Sequence, residues 1–80
     1  MRQPKQDRRI LEALWEQMTD SKLRLDFARY SLTTLIHDAP VEEIATPDFH
    51  VAYHRSIRAE ILALQEYVKL RRIYSTFLEA

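Results

Sequence analysis

Apolar side chains in the first half of the chain recur at alternating steps of three and four residues. This is the spacing of the a and d positions of a coiled coil, and it continues over four heptads. The pattern therefore predicts a long helix whose apolar line, here called the 11–35 seam, packs against a second helix. The 11–35 seam consists of Leu11, Leu14, Met18, Ser21, Leu25, Ala28, Leu32 and Leu35.

The last third of the chain carries two apolar lines on one predicted helix, rotated by roughly 120° at 100° per residue. A helix that is apolar over most of its circumference is normally buried by more than one neighbour. The first line holds His50, His54, Ile57, Ile61, Leu64 and Val68, and the second holds Ala63, Tyr67, Leu70, Tyr74 and Phe77.

Prolines mark the expected ends of both helices. Pro4 suits a first helical turn, where its missing N–H costs nothing, and Pro40 disfavours helical geometry at the residue before it. Thr46 is a good N-cap, and Pro47 after it suits the first helical position. We therefore expect helices over about residues 5–38 and 47–79 within a single helical domain, 1–80.

The expected connection, about residues 39–46, has room for one helical turn at 41–44. A connection this short makes the two helices antiparallel neighbours. One alternative is a break at residues 19–21, since Thr, Asp and Ser side chains compete with the helix for backbone hydrogen bonds. That break would give three helices instead of two.

The two helices carry more apolar surface than one antiparallel partner covers, because Leu23, Phe27 and Tyr30 lie nearly opposite the 11–35 seam. Each large side chain left in water forgoes about 1.5–3 kcal/mol. We therefore predict an all-α antiparallel helical hairpin that dimerisation or a partner completes to a four-helix bundle. A compact three-helix monomer is the alternative. The predicted partner-binding residues are Leu23, Phe27, Tyr30, Tyr67, Leu70, Tyr74 and Phe77.

Composition narrows the function classes. The chain has no cysteine and no glycine, so disulfides, thiolate metal sites and glycine-rich phosphate loops are excluded. Twelve basic and twelve acidic residues cancel, which disfavours non-specific binding to nucleic acid or anionic membranes. No apolar run is long enough for a membrane span or a secretory signal. We expect a cytoplasmic protein without a cofactor, a small-molecule substrate or membrane association.

Candidate chemistry is sparse. His37, His50 and His54 fall near the connection, but the HVAYH segment lacks the glutamate of a zinc-protease motif, so no metal site is predicted. The acidic residues of the first helix, such as Glu12 and Glu16, mostly face away from the seam, so no catalytic residue is predicted either. A role of the histidines in packing, in an interface or in a response to pH stays open.

Charge separates along the predicted hairpin. Residues 36–50 hold four acidic residues and no Lys or Arg, whereas arginines and lysines gather at the opposite end. These basic residues are Arg2, Lys5, Arg8, Arg9, Lys69, Arg71 and Arg72. Complementary potentials orient partners, and the pattern favours antiparallel packing if two copies associate.

The sequence predicts a small non-catalytic protein–protein interaction module, a regulator of the adaptor, inhibitor or anti-activator type. It would dock by laying helix against helix or helix in groove. The partner is a protein, a second copy of the chain, or both. A nucleic-acid-binding regulator that uses the basic end is the first alternative, and a helical-bundle enzyme is the second.

Overall fold

The chain forms a hairpin of two long helices joined by a short third one. The structure, a computed structural model, describes the backbone of residues 4–79 and the side chains of residues 7–79. Within that range α1 spans Pro4–Asp38, α2 spans Val41–Ile44 and α3 spans Pro47–Glu79, with no strand. α1 and α3 pack against each other, which confirms the predicted all-helical class and the pairing of two long helices.

The two long helices run antiparallel, because residue numbers rise along α1 as they fall along α3. Trp15 of α1 lies beside Tyr74 of α3, with ring centroids 5.8 Å apart. Further along, Arg24 pairs with Glu66 at 3.7 Å. α1 continues unbroken through residues 19–21. The alternative in which a break there gives three helices is therefore wrong. The hairpin measures 63 × 15 × 14 Å.

Backbone restrictions at Pro40 separate α1 from α2. Pro40 has extended geometry, with φ −61° and ψ 150°. Its carbonyl then accepts hydrogen bonds from the N–H groups of Glu43 at 2.9 Å and Ile44 at 3.3 Å. These bonds close the single turn of α2, and the helical turn expected at 41–44 is confirmed.

Thr46 fixes the start of α3. Its Oγ1 donates a hydrogen bond to the Glu43 carbonyl at 2.7 Å and accepts one from the Phe49 N–H at 3.2 Å. One hydroxyl thus ties the end of α2 to the first turn of α3 and satisfies a helix-end N–H that lacks an intrahelical partner. The expected capping role of Thr46 is confirmed.

Replacing Thr46 with alanine removes both hydrogen bonds. We expect Thr46→Ala to lower the free energy of unfolding by about 1 kcal/mol, as an N-cap deletion typically does. Urea unfolding followed by circular dichroism measures the loss. Thr46→Ser keeps the hydroxyl and serves as the control. Equal stability of the alanine and serine variants would contradict the capping role.

The 11–35 seam is the line along which α1 meets α3. Met18, Ser21 and Leu25 are buried, and the other five seam residues are half-buried. On α3 the matching line advances in steps of four and three over nine half-buried positions. We call this line the 49–77 seam: Phe49, Tyr53, Ser56, Glu60, Ala63, Tyr67, Leu70, Tyr74 and Phe77.

No helix within residues 4–79 combines the length and the hydrophobicity that crossing a membrane requires.

Candidate functional site

Half of the large apolar side chains in residues 7–79 are exposed to solvent. Among the described residues only Met18, Ser21 and Leu25 are buried, whereas fourteen large hydrophobic side chains are exposed. Isolated exposed apolar residues are ordinary on protein surfaces, but contiguous patches mark interaction sites. The positions of these fourteen exposed side chains around the hairpin therefore indicate where another molecule can bind.

The outer face of α1 carries the most exposed of the predicted partner-binding residues. Leu23 is 63% exposed, Phe27 is 72% exposed and Tyr30 is 70% exposed. Their spacing of four and three residues places them on one side of the helix, away from the 11–35 seam. They form one apolar patch, here called the outer patch.

The other four predicted partner-binding residues lie in the 49–77 seam. Tyr67, Leu70, Tyr74 and Phe77 are half-buried. Tyr74 packs its ring against Trp15 at an interplanar angle of 51°. Much of their surface is thus already covered by α1, although their part in binding a partner stays a prediction.

The first apolar line of α3 is the one left outside the hairpin contact. His50, His54, Ile61 and Leu64 are exposed, while Ile57 and Val68 are half-buried. The sequence did not say which of the two lines faces α1. A signal was present, since Phe49 and Tyr53 extend the second line over the whole helix in steps of three and four.

A groove runs between α1 and α3 on one side of the hairpin, here called the groove face. Phe27 of α1 and Leu62 of α3 flank it, and the Arg24–Glu66 pair lies along it. The groove has a volume of about 610 Å³. Its floor is made of small side chains, which let another helix approach closely: Ala28, Ser31, Ser56, Ala59 and Ala63.

Charge is separated along the hairpin axis. Residues 23–66 form the half that contains the connection, and they hold four basic and seven acidic side chains, a net charge of −3. The other described side chains, at residues 7–22 and 67–79, form the open half, where α1 begins and α3 ends. They comprise six basic and five acidic groups, a net charge of +1. The hairpin is 63 Å long, so its ends lie many Debye lengths apart and do not neutralise each other.

The basic residues of the open end are solvated. Arg8, Arg9, Arg71 and Arg72 are exposed, and Arg8 pairs with Glu12 at 3.4 Å. Of the predicted basic end, Arg2 and the side chain of Lys5 lie outside the described residues. Tyr74, which is close to Arg71 and Arg72 in sequence, has its ring against Trp15.

The three histidines are exposed, and His50 and His54 line one shallow cavity on α3. The Nδ1 atom of His37 lies 3.3 Å from Asp38, while His50 and His54 make edge contacts with the neighbouring rings of Phe49 and Tyr53. Among the described residues no three His, Cys, Asp or Glu side chains are grouped closely enough to hold a metal ion.

No protein-family model, curated protein or solved structure matches this chain.

Proposed function

We propose that the protein is a non-catalytic protein–protein interaction module, a small regulator of the adaptor, inhibitor or anti-activator type. Its exposed apolar helix faces are covered by helices of another protein chain, either a second copy or a different partner. That association completes the hairpin to a four-helix bundle. The proposal rests on one observation, which is the amount of surface that the hairpin leaves in water.

The accessible surface of the hairpin is 6785 Å². A compact monomer of the same mass, 9.6 kDa, exposes about 5,100 Å². The excess is about 1,700 Å², roughly twice the 800 Å² that one partner contributes to a standard protein interface. A partner that covers this excess supplies the burial that a two-helix core lacks, and we therefore assign the excess to association.

The outer patch is the best candidate for contact with a different protein. Aromatic side chains give large contact areas with few rotatable bonds and are enriched at interfaces. Phe27 and Tyr30 lie one helical turn apart beside Leu23, an arrangement that fits an apolar groove or a facing helix. The charged halves of the hairpin supply orientation.

A non-catalytic role agrees with the character of the surface. Catalysis by side chains requires titratable groups that are positioned in a concave site. Most of the described ion pairs, such as Arg24–Asp20 at 2.6 Å, lie in exposed positions, and the half-buried Glu60 is paired with Arg29 between the two long helices. The floor of the groove consists of small side chains, and its charged residues lie among them as exposed groups: Arg24, Arg55 and Glu66.

Substitution of the outer patch tests the proposal. We expect the double variant Leu23→Asp/Tyr30→Asp to lose protein partners that the wild-type chain captures from its native cells, because two carboxylates would be desolvated in the interface. Affinity capture with quantitative mass spectrometry measures the loss. Both residues are exposed, so helicity should be unchanged.

Thr33→Asp provides a matched control, since Thr33 is exposed on α1 outside the outer patch. The control is expected to retain every partner of the wild-type chain. The outer patch is excluded as the binding surface if the double variant captures the same proteins as the control.

A further inference from the structure

We infer that the groove face binds a second copy of this chain, laid antiparallel so that the open end of each copy meets the connection of the other. This inference rests on the proposed function and specifies the occupant of one face. Three features carry it: the charge separation along the axis, the order of charges at the middle of the groove face, and the apolar residues on either side of them.

The composition of the groove face follows from the seven-residue repeat of the two seams. Residues seven apart stay on the same side of such a helix. Asp20 lies one repeat before Phe27, which flanks the groove. On α3, Lys69 lies one repeat after Leu62, and Ile73 lies one repeat after Glu66. The groove face therefore extends past the groove toward the open end.

The charge halves select the orientation of the second copy. Two hairpins that pack face to face about a two-fold axis have their ends either aligned or reversed. Aligned ends place the two −3 halves together. Reversed ends place each −3 half beside an open half of net charge +1, which is the complementary arrangement. In the reversed arrangement α1 lies against α1 of the second copy, and α3 against α3.

The charges at the middle of the groove face fit this arrangement. Along α1, Asp20 precedes Arg24 by about 6 Å, and along α3, Glu66 precedes Lys69 by about 4.5 Å. Both pairs lie at the same height, since Arg24 contacts both Asp20 at 2.6 Å and Glu66 at 3.7 Å. A two-fold axis at this height puts Asp20 against Arg24 of the second copy, and Glu66 against its Lys69. All four groups then face opposite charges.

The same axis pairs apolar residues farther from the centre. Leu62 comes to lie opposite Ile73 of the second copy. Because of the two-fold symmetry, this contact occurs twice in the dimer. Leu62 is 58% exposed and Ile73 is 43% exposed in the single hairpin. On α1 the small Ala13 comes opposite Ser31, which allows the two backbones to approach closely. This face is self-complementary, as a two-fold interface requires.

The area available matches a stable dimer. The excess of about 1,700 Å² belongs to the whole hairpin and is about twice the 800 Å² that one partner contributes to a standard interface, so the groove face needs to bury only about half of it. Such a dimer still leaves Leu23 and Tyr30 of the outer patch uncovered, because they lie on the side of α1 that faces away from α3.

Engineered cysteines test the register, since the chain has none of its own. We expect an oxidised mixture of the Leu62→Cys and Ile73→Cys variants to form a disulfide-linked heterodimer of about twice 9.6 kDa. Either variant alone should form little, because equal positions in the two copies lie about 16 Å apart along the axis. Efficient linkage of either variant to itself would overturn the antiparallel register.

A charge exchange tests the electrostatic part. Glu66→Lys places two like-charged pairs against Lys69 of the second copy, and we expect the dimer dissociation constant to rise about tenfold. The double variant Glu66→Lys/Lys69→Glu restores opposite charges across the interface and should recover most of the affinity. Both variants lose the contact of Glu66 with Arg24 inside the hairpin, so that loss does not explain a difference between them.

Sedimentation equilibrium measures both variants, and circular dichroism verifies that they stay helical. Failure of the double variant to recover affinity contradicts the pairing of Glu66 with Lys69. A wild-type mass of one chain at all concentrations rejects the dimer. If that monomer still binds a different protein through the outer patch, the second copy alone is rejected; if it binds none, the proposed function fails as well.

Discussion

Leu25→Asp is expected to abolish the hairpin. Leu25 is 2% exposed at the middle of the 11–35 seam, the most buried large side chain among the described residues. Truncating such a residue to alanine costs about 2–5 kcal/mol, and a carboxylate without a partner costs more. Because few other residues are buried, this loss in the free energy of unfolding is comparable with the whole stability of a small domain. Circular dichroism at 25 °C should record the loss of most helical signal.

Leu23→Asp is the matched control, with the same substitution two residues earlier on the same helix. Leu23 is mostly exposed, so this variant should keep its helical signal and change the free energy of unfolding by less than about 1 kcal/mol. The two variants together separate the seam from the outer patch. Equal unfolding of both would mean that Leu23 is buried in solution, and the division into seam and patch would be wrong.

The second large effect is expected from Tyr74→Ala in the 49–77 seam. Truncation of a fully buried aromatic costs about 3–5 kcal/mol, and Tyr74 is half-buried, so we expect a loss of about 2 kcal/mol. The Trp15 ring loses its neighbour in the same variant. Urea unfolding at a fixed chain concentration measures the stability, and the emission of Trp15 in the folded protein should change as well.

Tyr30→Ala removes the same side chain from the outer patch. Because Tyr30 is largely exposed, this variant should lose less than about 0.5 kcal/mol and leave Trp15 emission unchanged. The comparison assigns each tyrosine either to the hairpin or to the outside surface. A neutral Tyr74→Ala variant would mean that the 49–77 seam contributes little to the hairpin and is available to a partner.

The sequence predicted the helices well because local signals specify them. Pro40 disfavours a helix before it, Thr46 caps α3, and the long stretches between carry a seven-residue repeat. Each of these signals acts within a few residues, so it can be interpreted without knowledge of the rest of the fold. The 11–35 seam was predictable for the same reason, since a single line of a and d positions dominates the first helix.

The side of α3 that meets α1 was not predictable in the same way. Both of its lines are apolar, and the choice between them depends on packing against a distant part of the chain. Phe49, Tyr53 and Glu60 complete the 49–77 seam. In the sequence, however, a charged residue such as Glu60 argues against placing this line in a helix contact. Glu60 is accommodated because it pairs with Arg29 of α1 at 3.5 Å, a contact between residues far apart in sequence.

The groove face also depends on tertiary structure. Its floor draws Ala28 and Ser31 from one helix and Ala59 and Ala63 from the other, and small residues give no periodic apolar signal. The alignment of Asp20 and Arg24 with Glu66 and Lys69 appears only once the antiparallel register is known. A surface that forms between two helices therefore cannot be predicted from the sequence pattern of either helix alone.

Sedimentation of the purified chain, combined with binding of the apolar-surface dye ANS, tests most directly whether the hairpin leaves apolar surface that another chain must cover. We predict a mass of about twice 9.6 kDa at micromolar concentration, and ANS fluorescence that rises as dilution releases single hairpins. A helical monomer that binds no ANS at any concentration would contradict the account, because the exposed leucines and aromatics would then be covered within one chain.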